Sequence, residues 1–128
     1  MKREQHKLIK IIRTWLQDYK VKNYAINEDL TISVNGNVDL TFKNIEEFPS
    51  YIQFYEVKGT FDCSENKIKS LRGCPMYITG NFYCYNNMLN TLNHCPDTVE
   101  GKFFCHGNLR KFELREITNI CDVAYINN

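Results

Sequence analysis

One phrase occurs three times in this chain, as Val57-x-Gly-x-Phe-x-Cys-x-x-Asn-x-Ile, Ile78-x-Gly-x-Phe-x-Cys-x-x-Asn-x-Leu and Val99-x-Gly-x-Phe-x-Cys. Gly59, Gly80 and Gly101 stand 21 residues apart, as do Phe61, Phe82 and Phe103, and Cys63, Cys84 and Cys105. A unit this short cannot bury an apolar face alone, so a strict period means that copies are stacked on one another. Identical letters then occupy equivalent seats in successive coils. A stack of coils is chiefly a surface for holding something.

The cysteines follow the same clock. Five of the six, at 63, 74, 84, 95 and 105, make two interleaved series that each advance by 21 residues. Zinc ligands are spaced two to four residues apart, and no Cys or His pair here has that spacing, the close neighbours being the directly adjacent His94–Cys95 and Cys105–His106. On a strand with alternate side chains inward, Phe61 and Cys63 share one face and their equivalents fall above them. Reduced Cys is among the most buried residue types, so the expectation is a packed column of thiols, with a metal site and redox chemistry as the alternatives. Coils lie about 4.8 Å apart, which brings stacked thiols within bridging distance. Cys121 stands outside the series and is expected to be the cysteine most prone to oxidise or pair between chains. No metal and no cofactor are expected.

Asn66, Asn87 and Asn108 each follow their core Cys by three residues, where the chain must leave the strand. A buried amide there can satisfy backbone groups at the bend and in the next coil. Gly73-Cys74-Pro75 and His94-Cys95-Pro96 follow Leu71 and Leu92 at equal offsets, and proline fixes the return turn.

At 128 residues with 43% apolar content, one modest domain is expected. No apolar run reaches the roughly 18 to 20 residues of a membrane span, and charges occupy the place of a signal peptide's apolar stretch. A cytoplasmic protein with reduced thiols is the expectation. Residues 1–22 hold seven Lys/Arg against Glu4 and Asp18, and the rest hold nine against thirteen acids, so the chain has a basic head and an acidic body.

Stacks need caps at both ends. Leu8, Ile9, Ile12, Trp15, Leu16 and Tyr19 are spaced as one face of a helix over roughly 4–20 that should cover the first coil. Residues 24–42 alternate as two short strands, and Asn35-Gly36-Asn37 predicts the tight hairpin turn between them. At the other end Leu114, Ile117, Ile120, Cys121 and Ala124 are spaced for a short helix, and residues 123–126 could equally finish as a strand. The organisation expected is a basic capping helix (1–22), a repeat stack (24–112) and a C-terminal cap (113–128).

These spacings resemble leucine-rich repeats, whose Leu-x-Leu-x-x-Asn-x-Leu core is matched by Phe61-x-Cys63-x-x-Asn66-x-Ile68 and Phe82-x-Cys84-x-x-Asn87-x-Leu89. The short period also resembles the compact repeats of bacterial type III effectors. A closer likeness is to small leucine-rich-repeat-like proteins of tailed bacteriophages, in which a helix and a phrase like Trp15-Leu16-x-x-Tyr19-x-Val21-x-Asn23-Tyr24-x-Ile26-Asn27 precede Gly-x-Phe-x-Cys repeats. The likeness covers roughly residues 15–112. It implies an α+β repeat fold, a short leucine-rich-repeat-like β-solenoid of about three to four coils, and carries over no catalytic residue. Two departures look like transitions to caps: the first coil (Val38-x-Leu40, Ile45, Phe48-Pro49) has no Cys, and the third copy, Asn108-Leu109-Arg110-Lys111-Phe112, is one residue short.

If Phe61 and Cys63 point inward, the alternate positions point outward: Thr60, Asp62 and Ser64, then Asn81, Tyr83 and Tyr85, then Lys102, Phe104 and His106. Contiguous aromatics with charge at the edge are typical interface anchors. Asp62, Tyr83, Tyr85, Lys102, Phe104 and His106 are therefore the candidate partner-binding residues, the alternatives being self-association into a homo-oligomer and plain surface. Arg3, Lys7, Lys10, Arg13 and Lys20 lie at helical spacing opposite the apolar stripe and form a second, basic site. Such a stripe suits nucleic acid or an acidic protein, although the acidic body would repel a polyanion and no nucleic-acid motif accompanies it.

No phosphate loop, nucleophile elbow or paired His ligands occur, and Cys105 and His106 would point to opposite faces of a strand. The functional expectation is a non-enzymatic interaction protein. The resemblance makes it phage-derived and directed at a bacterial host protein, for instance a host defence system in the manner of an anti-CRISPR protein.

Overall fold

The computed structural model describes residues 2–128, and in it each copy of the phrase becomes one turn of a β-solenoid of about four turns. Each turn gives one short strand to each of two sheets. The first sheet contains β1 (Tyr24–Ile26), β2 (Ile32–Val34), β4 (Phe54–Val57), β6 (Tyr77–Ile78) and β8 (Thr98–Val99), in the order β1-β2-β4-β6-β8. The second contains β3 (Val38–Asp39), β5 (Phe61–Asp62), β7 (Phe82–Tyr83), β9 (Lys102–Phe104) and β10 (Tyr125–Asn127), in the order β10-β9-β7-β5-β3. All pairings are parallel except β1 with β2. Val38, Phe61, Phe82, Phe103 and Ile126 pair in one unbroken register, which the 21-residue period requires of the three Phe and which Val38 and Ile126 join from 23 residues away.

The repeated glycine exists because the corner between the sheets is crowded. The Gly80 N–H donates to the Gly59 carbonyl, and the Gly101 N–H to that of Gly80, each at 2.8 Å. A methyl group on Gly80 would stand 2.6 Å from the Gly59 carbonyl oxygen, well inside van der Waals contact. Only a residue without Cβ lets these corners nest.

The asparagine column answers the next backbone problem. Asn87 Nδ2 donates to the carbonyls of Cys63 (3.0 Å) and Cys84 (3.2 Å), while its Oδ1 accepts from the Ile68 N–H at 3.0 Å. Asn66 and Asn108 do the same one coil down and one coil up. The sequence suggests amides that serve the following coil; they reach back to the preceding one, because the chain has already risen by a strand spacing when it leaves the strand. Inside, Phe54, Phe61, Phe82 and Phe103 are fully buried and form a spine, with ring centroids 5.2, 6.2 and 5.1 Å apart.

Helix α1 (Lys2–Asp18) closes the first turn with Ile12, Trp15 and Leu16, and the Trp15 ring meets Phe48 at 6.1 Å and Phe54 at 6.4 Å. Leu8 remains exposed, so only the C-terminal part of the apolar face covers the stack. The helix ends in a Schellman motif: Val21 N–H donates to the Leu16 carbonyl (2.8 Å), Lys20 N–H to that of Gln17 (3.0 Å), and Lys20 has φ +59°.

The expected hairpin turn is displaced. Asn35-Gly36-Asn37 does not join two paired strands; it is the first of the glycine corners and carries the chain from β2 into the other sheet. The hairpin is β1–β2, and its turn spans residues 27–31, where Asn27 N–H donates to the Thr31 carbonyl (2.8 Å) and Asp29 accepts from the Thr31 hydroxyl (2.6 Å).

The C-terminal cap uses both expected forms in sequence. Helix α2 (Leu114–Thr118) buries Ile117, and β10 then adds to β9. In the third copy Arg110 stands where Ile68 and Leu89 fill the core, and its side chain leaves the interior. Its guanidinium lies 4.5 Å over the Phe112 ring and holds Glu116 through two hydrogen bonds of 2.9 and 2.6 Å. The missing residue is the point where the repeat becomes the cap.

Candidate functional site

Parallel register places Asp39, Asp62, Tyr83 and Phe104 side by side on the outer face of the second sheet. Tyr85 and His106 follow two residues later in their coils. Tyr83 meets Phe104 at 5.1 Å and Tyr85 at 6.0 Å, and Phe104 meets His106 at 6.1 Å. Tyr85 and His106 stack at 4.8 Å with only 9° between their planes. The four rings thus form one contiguous aromatic cluster, each ring half-buried. This is less open than three aromatics simply facing water, because rings one strand spacing apart are close enough to shelter one another.

Lys102 is exposed at the start of β9 and pairs with Tyr125 of β10, which is itself 64% exposed. Asp62 is half-buried, and its carboxylate is tied down, accepting from the Ser64 N–H at 3.0 Å and the Ser64 hydroxyl at 2.5 Å. This turn draws Ser64 back onto the chain, so Ser64 is fully buried where strict alternation places it in water. Asp39 makes the same turn with Thr41, whose hydroxyl and N–H keep the Asp39 carboxyl below its ordinary range. His106 Nδ1 is, among the described residues, the buried side-chain polar atom without a hydrogen-bond partner.

One large exposed aromatic escaped the periodic reading. Phe42 is 76% exposed and sits at φ +54°, a conformation costly for a bulky side chain. Its N–H donates to the Glu65 carbonyl, which places it at the head of the Glu65, Asn86 and Gly107 corner column, all of positive φ. The sequence signals for this corner are Asn86 and Gly107, since Glu65 and Phe42 are unusual choices there.

The basic residues share a helix face. Arg3, Lys7, Lys10 and Arg13 are exposed on α1, and Lys20 is exposed just beyond it. The ion pairs among the described residues are Lys69–Glu46 and Arg110–Glu116, so none of these five is paired. The stripe belongs to a different end of the molecule from the aromatic cluster, since α1 caps the first turn and the cluster occupies the third and fourth.

The thiols make two buried columns, Cys63, Cys84 and Cys105 behind the second sheet and Cys74 and Cys95 at the proline corners. Burial pushes the Cys74 and Cys84 thiols up, and Cys105 up to about 12, as expected of packing groups. Cys121 corrects the sequence-based picture. It is 3% exposed, lies against Cys95 and continues the corner column, so it is not available for pairing between chains. After α2 the chain re-enters the stack by a path of different length, which breaks the period but not the column.

No helix among the described residues is long and apolar enough to cross a membrane. No family model, curated protein or solved structure matches the chain.

Proposed function

We propose that this chain is a non-enzymatic protein–protein interaction module whose outer strand face docks a partner protein. The observation that carries the reading is the cluster of Tyr83, Tyr85, Phe104 and His106, held by adjacent strands with rings 4.8–6.1 Å apart. Rigid aromatics seated on a sheet bury much area at low entropy cost. Lys102 and Asp62 stand at the rim, Asp62 as a fixed carboxylate. The mechanism is steric: occupation of a partner surface by this face.

The resemblance to small phage proteins supplies the setting. On it we read the fold as a leucine-rich-repeat-like variant, the chain as phage-encoded, its location as the bacterial cytoplasm, and its partner as a host protein that is blocked or redirected. A defence system of the CRISPR kind is the specific target class that this likeness suggests.

Replacing Tyr83 and Phe104 together by alanine is expected to weaken capture of the partner from host lysate by at least about 30-fold, as hot-spot losses do, with the melting temperature kept within a few degrees. Full capture by a folded double variant would count against the site. A second reading is favoured by the five unpaired cations at Arg3, Lys7, Lys10, Arg13 and Lys20: binding of nucleic acid along α1. Salt separates the two, since phosphate neutralisation weakens steeply from 50 to 200 mM salt and an aromatic interface changes little.

A further inference from the structure

The C-terminal end of the solenoid is a strand edge left open. β10 stands last in the second sheet, with β9 as its neighbour on one side. The Cys105 N–H donates to the Asn127 carbonyl at 2.8 Å, so the peptide groups of Tyr125 and Asn127 face β9. Peptide directions alternate along a strand, and the N–H and C=O of Ile126 therefore point to the open side. The core seat is open there too. Phe61, Phe82 and Phe103 share the register of Ile126 and are 0% exposed, whereas Ile126 is half-buried because no further coil covers it. Tyr125 and Leu114 are largely exposed and line a surface groove along β10 with Val123 and Phe104.

Sheets usually blunt such an edge with a charge, a proline or a bulge. Residues 123–128, Val-Ala-Tyr-Ile-Asn-Asn, carry no charge and no proline, and β10 pairs without a register shift. The opposite edge strand, β3, is two residues long and bears Asp39, and its turn is covered by α1. One end of the stack is thus protected against a further strand, and the other is not.

We propose that β10 pairs with β10 of a second copy, antiparallel about a two-fold axis at Ile126, to give a closed tail-to-tail dimer. A two-fold axis normal to the sheet sets an edge strand antiparallel to its mate. Ile126 then faces Ile126 of the second copy and exchanges both backbone hydrogen bonds with it, while Tyr125 faces Asn127 of the second copy and Ala124 faces Asn128. Apolar groups meet on the core side, and phenol meets amide outside. Charge selects this pairing among copies. Residues 109–128 hold Arg110, Lys111 and Arg115 against Glu113, Glu116 and Asp122, a net of zero, so two tails meet without repulsion. Two basic heads would repel, and α1 bars a head-to-tail stack. The two five-stranded sheets become one of ten strands. Phe104 of each copy then lies three strand spacings, about 14 Å, from its mate, so both aromatic clusters share one face.

The test is the solution mass of the full chain, by sedimentation, over about 1 to 200 µM. Wild type is expected to move from 15.2 kDa toward twice that mass as concentration rises, and to stop there. Tyr125→Lys with Asn127→Lys sets like charges opposite one another across the axis and should stay monomeric, with its melting temperature nearly unchanged because both side chains are exposed. Tyr125→Lys with Asn127→Glu sets opposite charges there and should keep the dimer, as the antiparallel register requires. The Ile126 amide should exchange about 10-fold or more slowly in the dimer than in the monomer. A monomer throughout the range, the result if this edge takes a strand of another protein, would overturn the proposal. So would a dimer kept by the first double variant, a monomeric second one, an unprotected Ile126 amide in the dimer, or species that grow beyond two copies. If the first double variant does not fold, Tyr125→Glu with Asn127→Glu takes its place.

Discussion

Individual residues in this molecule are chosen for backbone geometry as often as for side-chain chemistry. Gly80 is fixed by the 2.6 Å that a methyl group would leave to the Gly59 carbonyl oxygen. Gly80→Ala is therefore expected to cost at least about 2 kcal/mol in urea denaturation, because the clash is with backbone that cannot step aside. Asn87 is fixed by the carbonyls of Cys63 and Cys84 and the N–H of Ile68, all in the interior. Asn87→Ala should cost about 3 kcal/mol or more, since each stranded group loses roughly 1 to 3 kcal/mol of solvation. Phe42 runs the other way. Phe42→Gly is expected to stabilise by about 0.5 to 1 kcal/mol, as the cost of φ +54° disappears and glycine's extra chain entropy offsets only part of it. A gain in stability joined to weaker partner capture would mark Phe42 as a second anchor, retained against its own conformational cost.

At the scale of elements, the short α2 is held by buried Ile117, by the Glu113 N–H donating to the Glu116 carboxylate, and by an ion pair from Glu116 to Arg110 of the repeat. The Arg110 guanidinium and then the Glu113 N–H hold the Glu116 carboxyl at about 2, below its ordinary 4.5. A carboxyl whose folded pKa is depressed contributes fully above its unfolded value and loses that contribution as pH falls through the folded one. The difference in denaturation midpoint between wild type and Glu116→Gln should accordingly be constant above about pH 5, shrink toward pH 2, and shrink with added salt, because both side chains are 40% exposed. Strand register in the second sheet was legible from Phe61, Phe82 and Phe103 alone, since identical core letters at one interval leave a single alignment. The first sheet keeps the same interval at Val57, Ile78 and Val99, but its strands Tyr77–Ile78 and Thr98–Val99 are only two residues long, too short to announce a separate sheet. The Asn-Gly-Asn phrase misled because two needs select glycine, a hairpin turn and a crowded corner, and spacing from Gly59 was the better guide. Ser64 misled because Asp62 recaptures its hydroxyl, a local bond that alternation cannot anticipate.

At the scale of the whole molecule, the two ends are built on different principles. The first turn is closed by a helix and an antiparallel strand, and the last by a strand that keeps the parallel register. The aromatic candidates were legible because inward Phe and Cys fix what lies between them. Their mutual shelter was not, since it depends on ring orientation across strands. Between the ends, the glycine corners, the asparagine amides and the Phe and Cys core seats of residues 57–108 repeat from one coil to the next. Repeat number is thus free to vary without redesign of either terminus: splicing in a second copy of residues 80–100 should yield a folded, longer protein. Small-angle scattering would register the added length as roughly one strand spacing, about 4.8 Å. Collapse or aggregation of that variant would mean the caps sense how many turns separate them. Evolution of reach in such a protein is then a matter of counting, in which tandem duplication changes the dimension of the binding face while leaving its chemistry alone.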